Sequence, residues 1–308
     1  MMKLFFKKMM SKHAGKKDTY VFMLAMLCIP ILFFCVFNIG VKVNSILLSL
    51  KRYEQGVYKF WGFGNFKQVF NDLSNNYEVI AAMKNSVIFY ALNMLLIMPL
   101  SIFTSYFIYK KIPGSEFFKI ICYVPQMLSV IILSLMYKYL MDKLIPWFYT
   151  NAGLQAPNVF LDETKLGVMI LYNVWIGIGA NIILYLGSMS RIPDQLIEVG
   201  ELEGITLWKE FWMITFPLIF PTITVFIVAG VAGFFTNQAH VYNFYGAFAP
   251  QDISTLGYYM FIKVIGESSS LASYPYASAF GVLFTLIAAP ITLLVKYLLE
   301  KISPEAEF

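Results

Sequence analysis

The chain has 308 residues, of which 59% are hydrophobic, 18% are aromatic and only 13% are charged. Soluble domains are about 45–50% apolar and about 25% charged, so this chain cannot cover itself with an ordinary hydrated surface. With a mean hydropathy of +0.67 and a net charge of +5, the composition excludes a soluble globular enzyme, a disordered protein and a nucleic-acid-binding protein. It predicts an all-α polytopic membrane protein.

Six uncharged runs are long enough, or almost long enough, to cross a bilayer as helices, which takes about 20 residues at about 1.5 Å rise each. In chain order they are residues 19–41, 85–109, 120–137, 166–190, 216–235 and 268–295. The third apolar pattern starts at Phe117, and Pro125 within it should kink or unwind the helix. None of the runs alternates apolar with polar residues, which favours helices over the strands of a barrel. The connections 42–79 and 236–267 are long enough to hold short helices outside the membrane.

The lysines predict the orientation of these spans. The first run is longer than the roughly 7–15 residues of a signal-peptide core, so we expect it to be a retained span. Residues 1–19 contain six lysines and a single acidic residue, which is a strong signal for a cytoplasmic N-terminus. Six crossings then place the segments 110–119 and 188–215 in the cytoplasm as well. We expect one transmembrane domain at 20–300, between this tail and a cytoplasmic tail at 301–308.

The chain offers little for catalysis or metal binding. Cys28 and Cys35 lie seven residues apart on one helix, too far to bridge, and neither His13 nor His240 has further ligands at metal-ligand spacing. No G-x-S-x-G, H-E-x-x-H or Walker A sequence occurs, so ATP-driven work would need a separate ATPase chain. No charged residue lies within a predicted span, which argues against a proton- or sodium-driven transporter. We expect no metal site.

The most informative segment is the connection 192–217 between the fourth and fifth spans. Pro193 and Asp194 mark the start of a short helix, and Gly204 fits the left-handed position that closes it. A second helix, from about Leu207, should run into the membrane. On these residues alone the segment is either a structural loop or a docking element whose short amphipathic helix inserts into a groove on a cytoplasmic partner.

This segment resembles the EAA loop of the membrane permeases of bacterial ABC importers. In that pattern Glu-Ala-Ala, three residues and a glycine are followed, after nine residues, by Ile-x-Leu-Pro. The matching residues at the right spacings are Glu198, Gly204, Ile214 and Pro217, with Val199-Gly200 in place of Ala-Ala and Phe216 in place of Leu. The flanking Ile192-Pro193, Glu203 and Phe211 resemble the carbohydrate-uptake, MalF-like branch of the family. Shorter similarities extend over most of the chain.

The resemblance implies a MetI-like, type I importer fold and a function. Such permeases pair, usually as two different chains, in the bacterial plasma membrane. Two ATPase subunits bind the EAA loops, and an extracellular binding protein delivers the solute. ATP and Mg²⁺ bind the ATPases, so the resemblance implies no cofactor in this chain. The residues that it implicates in ATPase coupling are Glu198, Gly200, Glu201, Glu203, Gly204, Ile214 and Pro217.

The MalF-like features imply a sugar or oligosaccharide as the solute. Neutral sugars are bound by aromatic faces and neutral hydrogen-bonding groups, which cost less to bury than charges do. Candidates for the path are Gln126, Asn173, Trp175, Gly177, Asn181, Thr236, Asn237 and Gln238. The asparagines could instead form interhelical hydrogen bonds, and 236–238 could mark only the membrane boundary.

Other solutes and other classes remain open. A charged oligosaccharide or a glycerol phosphodiester is the alternative solute, although no Arg or Lys lies mid-span to bind its anion. Outside the importer class, a secondary transporter or a channel is the alternative.

Overall fold

The computed structural model describes residues 16–266 and 270–302, so most of the two predicted tails, and the start of the predicted sixth span at Ser268, lie outside the described residues. Within these ranges the fold is mostly helical, which confirms the all-α prediction. The helices are α1 (Lys16–Phe33), α2 (Val41–Ser49), α3 (Gly64–Asn75), α4 (Tyr77–Leu92), α5 (Met98–Tyr109), α6 (Ser115–Met127), α7 (Val130–Asn151), α8 (Lys165–Met189), α9 (Asp194–Leu202), α10 (Leu207–Glu210), α11 (Phe216–Gly233), α12 (Val241–Tyr245), α13 (Leu256–Ile265) and α14 (Ser273–Ile302).

Three wider, π-helical turns join some of these helices into longer ones. They are Phe34–Gly40 between α1 and α2, Asn93–Ile97 between α4 and α5, and Phe211–Thr215 between α10 and α11. One antiparallel hairpin, of β1 (Lys51–Glu54) and β2 (Val57–Phe60), follows α2, with Tyr53 opposite Tyr58.

Five continuous helices are long and apolar enough to cross a membrane. They are Tyr20–Ser49, Tyr77–Tyr109, Lys165–Met189, Leu207–Gly233 and Ser273–Ile302, and they overlap five of the six predicted spans, with ends that differ by a few residues. We call them spans one, two, four, five and six.

The third predicted run, 120–137, is not one straight helix, which corrects the simple reading of that run as a single crossing. It divides at Leu128–Ser129, where α6 and α7 meet with a bend of 114°. Pro125 lies in the last turn of α6, where it has no N–H to donate and restricts the residue before it. The interruption therefore follows from Pro125, which is expected from the sequence to kink or unwind this run. If the bent pair of α6 and α7 is counted as one span, the described residues contain six spans.

Span one is peripheral. None of the most apolar part of Tyr20–Ser49 is buried within the chain, and only α2, its last part, packs against α14. An apolar helix left this open must be covered by lipid or by another chain.

Three hydrophobic clusters hold the other helices together. The first joins α5, α8 and α11 around Tyr185 and Phe211, at the end of the bundle that carries residues 192–217. At the opposite end, a second cluster joins α3, α4, α13 and α14 around Leu256 and Phe280. A third cluster, around Tyr172, packs α7 and α12 on the start of α8.

The long connections contain short helices, as the sequence predicts: α3 follows the hairpin, and α12 and α13 follow span five. Side chains of α4 hold the chain that leads into α13. The Asn85 amide donates to the carbonyl oxygen of Ser254 at 2.9 Å, and the N–H of Leu256 donates to the Ser86 hydroxyl at 2.9 Å. These bonds fix the elements that close one end of the bundle over spans two and five.

Candidate functional site

The 192–217 segment, here called the loop, folds as two short helices joined by a left-handed glycine. The N–H of Ile205 donates to the carbonyl oxygen of Gly200 at 3.1 Å, and that of Gly204 donates to Glu201 at 3.0 Å. Gly204 has a φ of +71°, which glycine adopts without steric strain. The Thr206 side chain then caps α10. The predicted helix, stop and second helix are all confirmed.

Gly200 stands where the EAA pattern has alanine, and the structure supplies a packing reason for glycine. A Cβ atom at Gly200 would lie 2.7 Å from Cδ1 of Ile205 and 3.2 Å from Cδ1 of Ile214. Both isoleucines therefore press on the backbone of α9. This contact seats α9 against the beginning of span five.

The outer face of α9 is uncovered. Glu198 and Glu203 are exposed, as are the apolar side chains of Leu196 and Val199, while Leu202 is 88% exposed. A surface helix normally turns its apolar side chains toward the core. On α9, apolar and acidic side chains face outward together. A helix with such a surface is suited to bind in a groove on another protein.

The base of the loop is fixed to α5. Lys110, the residue after α5, places Nζ 3.0 Å from Oε2 of Glu210 and 3.7 Å from Oε1 of Glu201. The Tyr106 hydroxyl donates to the carbonyl oxygen of Leu207 at 2.8 Å. Sequence reasoning missed Lys110 and Glu210. The available signal was an acidic residue directly before an apolar run, because a carboxylate at such a position needs a partner when it is buried.

Ile214 and Pro217 lie where α10 continues into α11 within span five. Pro217 is the second residue of α11 and has no N–H, so it cannot make the helical bond to the carbonyl of Met213. The π-helical turn Phe211–Thr215 directly before α11 widens the helix at this position. The loop thus enters the membrane helix through an irregular turn.

A cavity of about 280 Å³ lies between α4 and α11, near the opposite end of the bundle. Its lining combines aromatic and neutral polar side chains with small residues and contains no charged residue. The lining residues are Ser86, Phe89, Tyr90, Asn93, Ala229, Gly230, Gly233, Phe234, Thr236, Asn237 and Thr255. Thr236 and Asn237 belong to the set expected from sequence, whereas the contributions of α4 and of Thr255 were missed.

Some polar groups that line this cavity already have hydrogen-bond partners within the chain, and others do not. Ser86 accepts the N–H of Leu256, and the Thr255 hydroxyl donates to the carbonyl oxygen of Asn237 at 2.8 Å. In the described part of the chain, the Asn93 amide and the Tyr90 hydroxyl make no hydrogen bond. Asn93 begins the π-helical turn of span two, and such turns are frequent at functional sites.

The predicted residues of span four do not line this cavity. Asn173 donates to Ala239 at 3.1 Å and to Met169 at 2.8 Å, both backbone carbonyl oxygens. Trp175 lies over Tyr137, with ring centroids 6.3 Å apart. Asn181 is half-buried.

The remaining candidates also serve contacts between helices. Gln126 donates to the carbonyl oxygen of Ile176 at 3.0 Å. A Cβ atom at Gly177 would lie 2.9 Å from a methyl group of Ile97, so this glycine lets span two approach span four. Gln238 lines a second, mostly apolar groove of about 950 Å³ beside α2 and α14. Their roles in a solute path stay predictions.

The sequence model of a family described as "Binding-protein-dependent transport system inner membrane component" matches residues 86–304. The chain is 21% identical to the arabinooligosaccharides transport system permease protein AraP of Bacillus subtilis, over 86% of this chain and 84% of that protein. It is 23% identical to the lactose transport system permease protein LacF of Rhizobium radiobacter, over 85% and 88%.

A solved structure has the same fold. One chain of a bacterial ABC transporter involved in the import of the acidic polysaccharide alginate aligns with a TM-score of 0.79 at 21% identity. The alignment covers 94% of this chain and 98% of that chain.

Proposed function

Because the chain belongs to the family of binding-protein-dependent transport system inner membrane components, we propose that it is a permease subunit of an ABC importer that moves a sugar or oligosaccharide into a bacterial cell. The observation that carries this proposal is α9, an exposed amphipathic helix packed on the end of the bundle. In this role the chain has no ATPase site of its own. It provides the path for the solute and the loop through which movement of the ATPase is transmitted to the spans.

Two separate ATPase subunits would bind ATP and Mg²⁺, one of them docked on this loop. The apolar side chains of Val199 and Leu202 would fill its groove, and Glu198 and Glu203 would face basic groups at its rim. ATP can bias the permease only if α9 makes different contacts in the inward- and outward-open states. A second, homologous permease would complete the pore and cover the open face of span one.

The cavity between α4 and α11 is the best candidate for a sugar-binding position. Pockets for small molecules measure about 300–1,000 Å³ and place a few polar groups among apolar and aromatic walls. At about 280 Å³ this cavity is slightly smaller than that range, and the partner permease would add the missing wall. Tyr90 and Phe234, whose rings meet edge to face at 5.5 Å, offer aromatic surface, and Asn93 and Asn237 offer amides.

The lining favours a neutral solute. An anionic sugar or a glycerol phosphodiester would call for an arginine or lysine, and the cavity has neither. The names of AraP and LacF refer to arabinooligosaccharides and lactose, which are neutral sugars, whereas the similar structure belongs to an importer of the acidic alginate. A charged oligosaccharide therefore stays the alternative, with its cation supplied by the partner permease.

The orientation is part of the proposal. The loop and both termini face the cytoplasm, and the hairpin, α3, α12 and α13 face the binding protein outside. The lysines before Tyr20 support this arrangement, as does the need for the loop to meet a cytoplasmic ATPase.

The test is purification in mild detergent followed by uptake in proteoliposomes. We expect an ATPase and a second permease to co-purify, and uptake of labelled neutral oligosaccharides to need ATP and the binding protein. Competition with neutral and acidic oligosaccharides then decides between the two solute classes. Uptake that proceeds without ATP, driven by an ion gradient or by diffusion, would identify a secondary transporter or a channel and contradict the proposal.

A further inference from the structure

The ammonium group of Lys110 lies where three elements meet. It contacts Glu210, at the end of α10, and Glu201, on α9, while Lys110 itself directly follows α5. The helix α5 is the last part of span two, and α10 is the first part of span five. One side chain thus links the exposed helix of the loop to the two spans that line the cavity.

The two ion pairs differ in environment. The side chains of Lys110 and Glu210 are 12% and 3% exposed, whereas that of Glu201 is 65% exposed. Separating a buried pair leaves an uncompensated charge in a low-dielectric site, so Lys110 and Glu210 stay together while the fold is intact. The contact with Glu201 is weak and can break and re-form. Lys110 therefore has one permanent ion-pair partner, Glu210, and one exchangeable partner, Glu201.

The fold alone does not explain the charge on Glu210. Phe211 is buried against the rings of Phe103 and Tyr106, with centroids 5.0 Å away in each case, so aromatic packing already holds this segment on α5. Oε1 of Glu210 is buried and has no hydrogen-bond partner among the described residues. The charge of this buried carboxylate is compensated by the ammonium group of Lys110, 3.0 Å from Oε2.

The contact between Lys110 and Glu201 is the one polar side-chain link between α9 and α5 in the described part of the chain. The helix α9 also has apolar contacts: Gly200 lies against Ile205 and Ile214, and Ile197 packs on the cluster around Tyr185 and Phe211. These apolar contacts hold α9 on the bundle, and the ion pair of Glu201 adds a polar link to the end of span two.

We propose that Lys110 is the positioning residue that makes α9, span two and the base of span five move as one unit. This inference rests on the proposed function, because it presumes that an ATPase subunit displaces α9. The exchangeable contact with Glu201 receives the displacement, and the buried pair with Glu210 carries it into both spans. Without Lys110, α9 and the start of span five would follow the ATPase, while span two, having lost its polar link to both, would lag behind them. ATP would then be hydrolysed without transport.

The test compares Lys110→Met, Glu210→Gln and Glu201→Gln in the complete importer, reconstituted in liposomes with its partner permease, ATPase subunits and binding protein. The measurement is the ratio of solute transported to ATP hydrolysed, for complexes of equal subunit content. Lys111→Gln is the matched control, because this neighbouring lysine is exposed and has no ion pair among the described residues.

We expect Lys110→Met and Glu210→Gln to lower the transport-to-ATP ratio about tenfold or more while ATP hydrolysis continues. Glu201→Gln should lower the ratio about two- to fivefold, as an exposed pair allows. Lys111→Gln should match the wild type. The double variant Lys110→Met/Glu201→Gln should be no worse than Lys110→Met alone, because both changes remove the same contact.

Wild-type ratios in Lys110→Met, Glu210→Gln and Glu201→Gln would overturn the proposal. So would a Lys110→Met/Glu201→Gln variant whose fold-loss in the transport-to-ATP ratio equals the product of the two single losses. Should the changes at the buried pair prevent assembly, Glu201→Gln decides alone, since an exposed substitution leaves the fold intact; a wild-type ratio there is then the negative result. A wild-type complex that neither hydrolyses ATP nor transports would contradict the proposed function instead, whatever the variants do.

Discussion

Asn173 on span four donates a hydrogen bond to the carbonyl oxygen of Ala239 at 3.1 Å, and the N–H of Ala239 donates to the side chain of Asn237 at 2.8 Å. Two asparagines that the sequence assigns to the same solute path are thus connected through the backbone of Ala239. Asn237 lines the cavity between α4 and α11, whereas Asn173 holds the turn that carries it. The two residues therefore have different expected roles.

Replacing the cavity asparagines should weaken solute binding. We expect Asn93→Ala and Asn237→Ala each to raise the half-saturating solute concentration about two- to tenfold. This corresponds to the loss of one hydrogen bond worth about 0.5–1.5 kcal/mol. Asn173→Ala and Asn237→Ala should also lower the amount of active complex, because each removes a hydrogen bond that holds the turn at Ala239. Uptake of labelled solute and stimulation of ATP hydrolysis are measured together.

Asn181→Ala is the comparison, since Asn181 lies on the same span as Asn173 and outside the cavity lining. It should change the half-saturating concentration by less than either cavity variant does. A larger effect at Asn181 than at Asn93 and Asn237 would place the solute path on span four instead.

Substitution of Gly204 should act through the backbone alone. A Cβ atom there meets no other atom within 4 Å, so the cost comes from the φ of +71°. We expect Gly204→Val to destabilise the loop by about 1–2 kcal/mol and to abolish stimulation of the ATPase, with normal membrane insertion. Gly204→Asn should retain most transport, because asparagine tolerates the left-handed region.

Val199→Ala is the comparison for the same loop, because it shortens one side chain of the proposed docking face and leaves the backbone unchanged. It should cost less transport than Gly204→Val. Transport by Gly204→Val at the wild-type rate, with normal ATPase stimulation, would show that the loop does not act as a lever.

Gly200 should tolerate one methyl group and no more. The nearest atom to an added Cβ is the terminal Cδ1 of Ile205, which can rotate away, and alanine favours helix over glycine by about 1 kcal/mol. Gly200→Ala should therefore keep transport near the wild-type level. Gly200→Leu should separate α9 from Ile205 and Ile214 and impair ATPase attachment, measured by co-purification. Equal attachment in the two variants would mean that the close packing of α9 is not needed for docking.

The local features of the loop could be predicted from sequence because local chemistry determines them. Pro193 permits a helix start and Gly204 permits a left-handed stop, both within a short stretch. The break after Pro125 was foreseeable for the same reason, whereas the size of the bend depends on how α7 packs across the start of α8.

The cavity and the Lys110–Glu210 pair could not be derived in this way. A membrane span is apolar on every side, so its sequence has no polar face to show which residues turn inward. Tyr90 and Asn93 become lining residues only when α4 packs opposite α11. Lys110 and Glu210 lie far apart along the chain, and neither residue type nor spacing connects them. Their contact follows from the tertiary arrangement alone.

The last prediction concerns topology. If the proposed orientation holds, the residue at 11 faces the cytoplasm and Asn151, at the exposed end of α7, faces outward. We expect a cysteine at Asn151, introduced in a chain without Cys28, Cys35 and Cys122, to react with an impermeant thiol reagent on intact cells. Ser11→Cys should react only after the membrane is permeabilised, since the lysine-rich segment around it favours the cytoplasmic side. Labelling of Ser11→Cys but not of Asn151→Cys on intact cells would reverse the orientation and place the loop outside, where no ATPase could reach it.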